Sequence, residues 1–161
     1  MKKITYLISC LTLSTILTTT LFAQPQPLTD RGMANTLRAD FDSRNSTVPD
    51  IEVNWYNSDY GYYGTYSMGN QHYITRYDKD GNYIETFNKK DWTQNAPVVI
   101  KNSFNKSAFN NLKVVTYWEV TDSGRNGYYL ELQDSNGKII NIWGDEKGRF
   151  SAVPYATNIS N

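Results

Sequence analysis

The sequence is poor in the residues on which much enzyme chemistry depends. Its only cysteine is Cys10 and its only histidine is His72. Histidine-pair metal sites, Cys-His nucleophiles and thiolate zinc sites are therefore excluded once the N-terminal segment that holds Cys10 is removed. A serine triad would have to use His72, and the sequence has no Gly-x-Ser-x-Gly elbow. These absences predict a non-enzymatic protein that needs no metal and no cofactor.

Neither sign of charge is in excess, because Lys and Arg total 16 and Asp and Glu total 16. There is no run of basic residues either, so nucleic acid and anionic membranes are not expected as partners. Hydrolysis by a pair of carboxylates stays open because acids are plentiful, although most of them lie in turns.

Asp78–Asn82 alternates oxygen ligands as a calcium loop does, but Lys89 stands where such a loop needs glutamate. A type I turn with a left-handed glycine is the favoured explanation.

The one long apolar run lies at the N terminus. Two lysines precede Ile4–Phe22, which has no charge and is apolar apart from Ser, Thr, Tyr and Cys. This is the layout of a secretory signal peptide, so we predict cleavage after Ala23 and a periplasmic or secreted protein without stable membrane insertion. A retained anchor is the alternative, because about 19 residues can span a bilayer. Lipidation at Cys10 is disfavoured, because the apolar segment that precedes it is too short.

Aromatic residues are abundant: 13 Tyr, 4 Trp and 6 Phe make up 14% of the chain. Residues of this kind favour strands. One pattern occurs twice, because Tyr73–Tyr83 is echoed by Ile140–Phe150. Each copy is a β-rich run, an acidic turn closed by glycine, and then an aromatic residue. The repetition predicts one hairpin used twice, and therefore a duplicated unit.

Each half of the chain is predicted to be a helix followed by an antiparallel meander. The first helix runs from about Thr29 to Phe41, with Asp30 or Thr29 as N-cap, and its apolar side consists of Ala34, Leu37, Ala39 and Phe41. The strands of the first half are Ile51–Tyr56, Gly61–Met68 and His72–Tyr77, with a shorter arm at Tyr83–Phe87. The second helix runs from about Ala96 to Phe104, with Val98, Val99, Ile100 and Phe104 on one face. Its strands are Leu112–Thr121, Tyr128–Asp134 and Ile139–Trp143.

The second meander resembles a known family. Tyr128–Ile140 followed by Trp143–Phe150 is similar to the strand, Asn-Gly turn, strand, Gly-aromatic signature of PepSY-like proteins, the β-lactamase-inhibitor-like (BLIP-like) proteins of the bacterial envelope. The resemblance implies an α+β fold of tandem αβββ repeats, about 28–92 and 95–155, within one domain of residues 24–161. Their strands would form one curved sheet with helices on one face and an open face for a protein or a polymer. It also makes an envelope enzyme or peptidase a conceivable partner. Inhibition of β-lactamase is not carried over, because the structurally similar inhibitor has disulfides and its loop residues cannot be matched here.

Strand alternation selects candidate binding residues on the open face. In the strands of the second half, the side chains predicted to face the helices are those of Leu130, Leu132, Ile140 and Ile142. Trp118 is predicted to lie in the same core. The hairpin from Trp55 to Tyr63 adds large rings at its tip. The candidate binding residues are Trp55, Tyr60, Tyr62, Tyr63, His72, Arg76, Tyr117, Glu119, Tyr129, Glu131, Asn141 and Trp143.

These aromatic and charged side chains have the composition of a protein interface, and the leading hypothesis is therefore protein binding. Carbohydrate or cell-wall polymer binding by stacked aromatics is the alternative, and a small carboxylate-pair hydrolase is a third hypothesis. A purely structural role also stays open, because tyrosines in a meander are commonly half-buried cross-strand pairs.

Overall fold

In the part of the chain that the structure describes, nine antiparallel strands form one sheet, and every strand pairs with its neighbour in the sequence. A computed structural model describes residues 26–48, 50–122 and 126–153. The predicted signal peptide and its cleavage site after Ala23 lie outside these residues. The elements are β1 (Gln26–Pro27), α1 (Arg31–Arg44), β2 (Asn54–Ser58), β3 (Gly61–Met68), β4 (Gln71–Tyr77), β5 (Tyr83–Lys90), α2 (Trp92–Asn95), α3 (Val98–Asn105), β6 (Lys113–Asp122), β7 (Asn126–Gln133), β8 (Ile139–Asp145) and β9 (Phe150–Ala152).

Helix α1 begins where its capping residue predicts. The Asp30 carboxylate accepts a hydrogen bond from the Met33 N–H at 3.1 Å, which satisfies one of the free donors of the first turn. Leu37 and Phe41 lie one turn apart and are buried against the sheet. Ala39 was predicted to share that apolar side and is exposed, because it is rotated away from the stripe through Leu37 and Phe41.

Helix α3 corrects a second prediction. Ile100 and Phe104 are buried as expected, but Val98 and Val99 are 71% and 55% exposed. The helix begins at Val98 rather than near Ala96, with Pro97 preceding it. Residues four apart share a helix face, so Ile100 and Phe104 define the packed stripe and the two valines of the first turn fall outside it.

All three helices pack on the same face of the sheet, which we call the helix face. Phe41 of α1 contacts the Tyr66 ring edge to face at 4.9 Å. Trp92 of α2 contacts Phe104 of α3 and Tyr117 of β6, each at 5.4 Å. The core under α3 consists of Ala96, Phe104, Tyr117, Leu130, Leu132 and Ile142. The predicted inward direction of Leu130, Leu132, Ile140 and Ile142 is therefore confirmed.

Three hairpin turns share one geometry. Asp78, Asp134 and Asp145 each use one carboxylate oxygen to accept backbone N–H groups two and four residues later, at 2.8–3.0 Å. The fourth residue of each turn is a glycine with φ of 83°, 84° or 75°. Only glycine adopts that conformation without strain, so the Asp-x-x-Gly spacing fixes where these hairpins reverse.

Each long helix is followed by four strands rather than three. Helix α1 leads into β2–β5 and α3 leads into β6–β9. The expected αβββ unit was therefore one strand short in both halves: Tyr83–Phe87 is the beginning of a full strand, and Phe150–Ala152 was missed because it is only three residues long. Duplication of one unit stays an interpretation of the sequence pattern.

Candidate binding face

The side of the sheet that faces away from α1, α2 and α3 carries the candidate site, and we call it the helix-free face. Strand register determines which side chains point there, because directly paired residues lie on the same face. Tyr56, Tyr63, Arg76 and Glu85 follow one another across β2–β5. A parallel row of paired residues crosses β5–β9 and consists of Lys89, Trp118, Tyr129, Trp143 and Ser151.

An apolar cluster occupies the centre of the helix-free face. Ile74, Phe87, Trp118, Val120 and Tyr129 keep only 2–5% of their surface exposed, and Tyr63, Trp143 and Val153 pack around them. Phe87 meets the Trp118 ring edge to face at 6.3 Å and the Tyr129 ring at 6.0 Å. This side of the sheet therefore has a small core of its own, with its partly exposed rings at the margin.

An ion pair borders the apolar cluster. The Arg76 Nη1 and Glu85 Oε1 atoms are 2.6 Å apart, and the two side chains are only 24% and 10% exposed. They are direct cross-strand partners on β4 and β5. A charge pair that is largely removed from water depends on both members, because loss of one leaves the other desolvated without this ion pair.

Polar groups mark the opposite margin. Glu131 pairs with Thr116 on one side and Asn141 on the other, and Glu131 is itself buried. The Trp118 Nε1 and Asn141 Oδ1 atoms are buried and have no hydrogen-bond partner among the residues that the structure describes. Buried polar groups are seldom left in this state in folded proteins.

Tyr63 is the predicted residue of the first hairpin that reaches the helix-free face. Its ring stacks on Tyr56 with centroids 5.1 Å apart and planes inclined by 17°. Burial raises the pKa of the Tyr63 hydroxyl, and the neighbouring Tyr56 raises it further. Tyr56 was not among the predicted residues, although alternation from Tyr63 through its direct partner would have identified it.

The other predicted residues of that hairpin lie elsewhere, which corrects the expectation of a single surface. Trp55 is on the helix face, where its ring contacts Phe41 at 6.1 Å and Tyr77 at 5.7 Å. Tyr62 is the direct partner of Tyr77 and shares that face. Tyr60 lies exposed in the turn before β3. Consecutive strand residues alternate between faces, so adjacent rings in the sequence do not form one surface.

The prediction for β6 was wrong by one residue. Tyr117 and Glu119 lie on the helix face, and Trp118 lies on the helix-free face. Tyr117 is fully buried, and this burial raises the pKa of its hydroxyl, as does the adjacent Glu119 carboxylate. Both faces of β6 are apolar at this point and the strand has an irregularity between Val114 and Thr116, so sequence alternation has no polar side to fix the register.

The helix-free face therefore brings together only part of the predicted set. His72 lies on it near the β3–β4 turn, with its Nδ1 atom 2.9 Å from the Ser67 hydroxyl. The predicted residues on this face are Tyr63, His72, Arg76, Tyr129, Glu131, Asn141 and Trp143. Sequence reasoning missed Glu85, Trp118 and Lys89, whose ammonium group lies 5.6 Å from the Trp118 ring centre.

Two further observations bear on the class of site. Within the described ranges, no cluster of three or more His, Cys, Asp or Glu side chains has the arrangement needed to hold a metal ion. No helix in that part of the chain has the length and apolar character needed to cross a membrane.

No protein-family model and no curated protein matches this chain. Several solved structures of similar fold are from Bacteroides species. A DUF2874 family protein from Bacteroides uniformis ATCC 8492 is 16% identical, with a TM-score of 0.63, 76% of this chain and 91% of that chain being covered. A BLIP-like protein from Bacteroides fragilis NCTC 9343 is 14% identical, with a TM-score of 0.58 and coverage of 75% and 86%.

A third structure, from Bacteroides eggerthii DSM 20697, is provisionally described as periplasmic. It is 16% identical, with a TM-score of 0.61 and coverage of 77% and 91%. At these identities the likeness concerns the fold alone. The architecture of this chain is thus BLIP-like, whereas the PepSY-like name stays a prediction.

Proposed function

We propose that the protein is an exported, non-enzymatic binding protein that uses the helix-free face to bind another protein, such as an envelope enzyme or peptidase. The observation that carries this proposal is the arrangement of that face: an apolar centre, partly exposed rings of Tyr63 and Trp143 at its margin, and the Arg76–Glu85 pair beside it. Protein interfaces are enriched in aromatic and arginine side chains of the kind that this margin leaves partly exposed around a packed centre.

Export is part of the same proposal. The layout of residues 1–23 supports a signal peptide that is cleaved after Ala23, and a structural neighbour provisionally described as periplasmic supports an envelope location. The repeated turn pattern supports a PepSY-like tandem duplication of residues about 28–92 and 95–155.

The positions of the buried acids support the non-enzymatic assignment. Glu85 and Glu131 are the buried carboxylates of the helix-free face. The register places them on β5 and β7 and about six residues apart along the strand direction, which corresponds to roughly 20 Å. Glycosidases hold their two carboxyl groups about 5–9.5 Å apart, so this pair does not suit that chemistry.

Carbohydrate or cell-wall polymer binding is the second candidate. The specific observation is the stacked Tyr56–Tyr63 pair near the edge of the sheet, since both rings are partly exposed and a sugar ring packs well on a flat aromatic surface. A glycan site would depend on these two rings and would be indifferent to Arg76 and Trp143.

Two adjacent tyrosines provide the test. Tyr63 points to the helix-free face and Tyr62 to the helix face, and both are partly buried residues of β3. Wild-type protein of residues 24–161, Tyr63→Ser, Trp143→Ser and the control Tyr62→Ser would be immobilised and exposed to envelope extract, after circular dichroism has established equal folding. We expect one protein to be retained by wild type and Tyr62→Ser and lost from the other two variants.

A second arm uses isolated peptidoglycan and envelope polysaccharide with the same four proteins. Retention of glycan that Tyr63→Ser abolishes and Trp143→Ser preserves would favour the second candidate. Equal retention of every ligand by Tyr63→Ser, Trp143→Ser and wild type would contradict a binding role for this face.

A further inference from the structure

A row of four directly paired residues crosses the middle of the helix face, on the side of the sheet opposite to the proposed protein-binding site. Its members are Tyr73 of β4, Asn88 of β5, Glu119 of β6 and Tyr128 of β7. All four side chains are partly exposed, so solvent reaches the row although helices pack on this face. The row places an amide and a carboxylate between two tyrosine rings.

The carboxylate in this row has no cation beside it. Within residues 26–48, 50–122 and 126–153, Glu119 accepts one side-chain hydrogen bond, from the Tyr117 hydroxyl at 3.4 Å, which is long for a bond of this type. No ion pair in those ranges includes Glu119. A carboxylate that is partly removed from water gains from a cationic partner, so Glu119 is free to bind one.

The neighbouring amide is oriented by a hydrogen-bond network around Gln71. The Gln71 Oε1 atom accepts from the Tyr73 hydroxyl and from the Lys90 ammonium group, each at 2.9 Å. It also accepts from the Asn88 Nδ2 atom at 3.3 Å. Because the nitrogen of the Asn88 amide is bonded towards β4, its carbonyl oxygen is turned away from that strand. The Asn88 Oδ1 atom is buried, and no described side chain or backbone group donates to it.

Two acceptors therefore lie side by side without a donor. Asn88 and Glu119 are direct cross-strand partners, and the Cβ atoms of such pairs are about 4.5–5.5 Å apart. Lys90 lies two residues along β5 on the same face, but its ammonium group is bonded to Gln71. A positively charged group with several N–H donors would satisfy both acceptors at once.

Aromatic rings border the two acceptors on either side. The Tyr73 ring stacks on Tyr66 with centroids 5.1 Å apart, and the Tyr128 ring stacks on Tyr117 with centroids 5.9 Å apart. These partners hold the two rings in place. The faces of aromatic rings attract cations, and the planar guanidinium group also stacks on them.

The charge around one end of the row is negative. Burial raises the pKa of the Tyr128 hydroxyl, and the carboxylates of Glu119 and Glu146 raise it further. Both carboxylates therefore act on the space beside the Tyr128 ring. A guanidinium group suits this space better than an ammonium group does, because its flat fork offers five N–H donors to the acceptors while its face packs on the ring.

We propose that the row of Tyr73, Asn88, Glu119 and Tyr128 binds the guanidinium group of an arginine side chain that is carried by another polypeptide. Glu119 pairs with the charge, Asn88 Oδ1 accepts a further N–H, and the tyrosine rings pack on the planar group. Sites for free small molecules enclose most of their ligand, whereas this row is open to solvent, and this favours a side chain whose backbone is held elsewhere.

A blocked amino acid tests the proposal. Nα-acetyl-arginine amide would be titrated into isotope-labelled protein of residues 24–161, which contains every described element. We expect saturable changes in the NMR signals of the Asn88 side-chain amide and of the Glu119 and Tyr128 backbone amides. Nα-acetyl-citrulline amide has nearly the same shape without the charge, and it should leave these signals unchanged. Nα-acetyl-lysine amide should bind more weakly, and free arginine should bind no more tightly than the blocked probe.

Two pairs of variants locate the site. Glu119→Gln keeps the shape of the side chain and should raise the Kd of the arginine probe about tenfold or more, because a bond to a charged group is lost. Glu52→Gln makes the same change of charge at an exposed position before β2 and should leave Kd unchanged. Tyr128→Leu should raise Kd about twofold to fivefold, whereas Tyr128→Phe keeps the ring and should bind as wild type does.

Equal responses to the arginine and citrulline probes, or equal Kd values for Glu119→Gln and wild type, would overturn the proposal. Tighter binding of the lysine probe would overturn the assignment to guanidinium, and tighter binding of free arginine would overturn the polypeptide source. The four variants leave the helix-free face unaltered, so failure of this proposal would leave the proposed protein-binding function standing.

Discussion

The replacement Phe87→Ala measures whether the helix-free face holds a true core. Phe87 is 2% exposed and makes edge-to-face contacts with Trp118 and Tyr129. Truncation of a buried phenylalanine to alanine destabilises proteins by about 3–5 kcal/mol, because both transfer free energy and packing are lost. With a urea dependence of about 2 kcal/mol per molar for a chain of this size, the unfolding midpoint should fall by about 2 M.

The assay is urea unfolding of residues 24–161, followed by tryptophan fluorescence. Trp118 contacts Phe87, so the signal also reports on the altered site. Leu130→Ala, in the core of the helix face, should show a comparable fall of about 2–5 kcal/mol, and exposed Tyr60→Ala should stay within about 0.5 kcal/mol of wild type. A Phe87→Ala midpoint that matches Tyr60→Ala rather than Leu130→Ala would refute the existence of a core on this face.

Three further predictions concern charges and turns. Arg76→Met should lower the free energy of unfolding in urea by about 2 kcal/mol, because Glu85 is left desolvated without this ion pair. The double variant Arg76→Met with Glu85→Met should be less destabilised than Arg76→Met alone. A loss of stability in the double variant equal to the sum of the losses in the two single variants would contradict the coupling. Gly148→Ala should lower the free energy of unfolding by about 2–5 kcal/mol, because the added carbon meets α3 and the alanine is strained at a φ of 75°. Gly69→Ala, with a φ of 59° and open space around it, should lower it by about 1–2 kcal/mol. Equal thermal midpoints for the two variants would show that the turn at Gly148 does not touch the helix. Hydrogen bonds from the Asn82 side chain and backbone hold the pKa of Asp78 below its ordinary value. The stabilisation by Asp78 is therefore present above the ordinary aspartate pKa of about 4 and is lost as the pH falls through the lower folded-state pKa. The difference between the urea midpoints at neutral and acid pH should accordingly be smaller in Asp78→Asn than in wild type. An equal difference in the two proteins would contradict this role of Asp78.

Local signals in the sequence predicted much of the fold. Asp30 marked the start of α1, and the bounds of Gly61–Met68 were those of β3. The Asp-x-x-Gly turns located the reversals, because a left-handed glycine and an acceptor carboxylate act within a few residues. These features depend on neighbouring residues alone, so they can be inferred without knowledge of tertiary packing.

The direction of side chains on β6 required information that is not local. Tyr117 and Trp118 are consecutive, aromatic and buried on opposite faces. Alternation assigns faces only where one side is polar, and a sheet that buries both sides gives no such contrast. The same fact explains why the open face was expected to expose Tyr129 and Glu131, which are in fact buried. The prediction that Val98 and Val99 are buried was wrong for a different reason. The rotation of a two-turn helix about its axis depends on which of its apolar residues packs against the sheet.

The central claim is that the helix-free face binds a protein partner, and the dissociation constants of two variants test it most directly. Once the retained protein is purified, its affinity for wild type, Tyr63→Ser and Tyr62→Ser would be measured by calorimetry. An interface anchor contributes about 2 kcal/mol or more, so Tyr63→Ser should raise Kd about thirtyfold while Tyr62→Ser leaves it unchanged. Equal dissociation constants for the two variants, or a larger loss in Tyr62→Ser, would contradict the assignment of binding to this face.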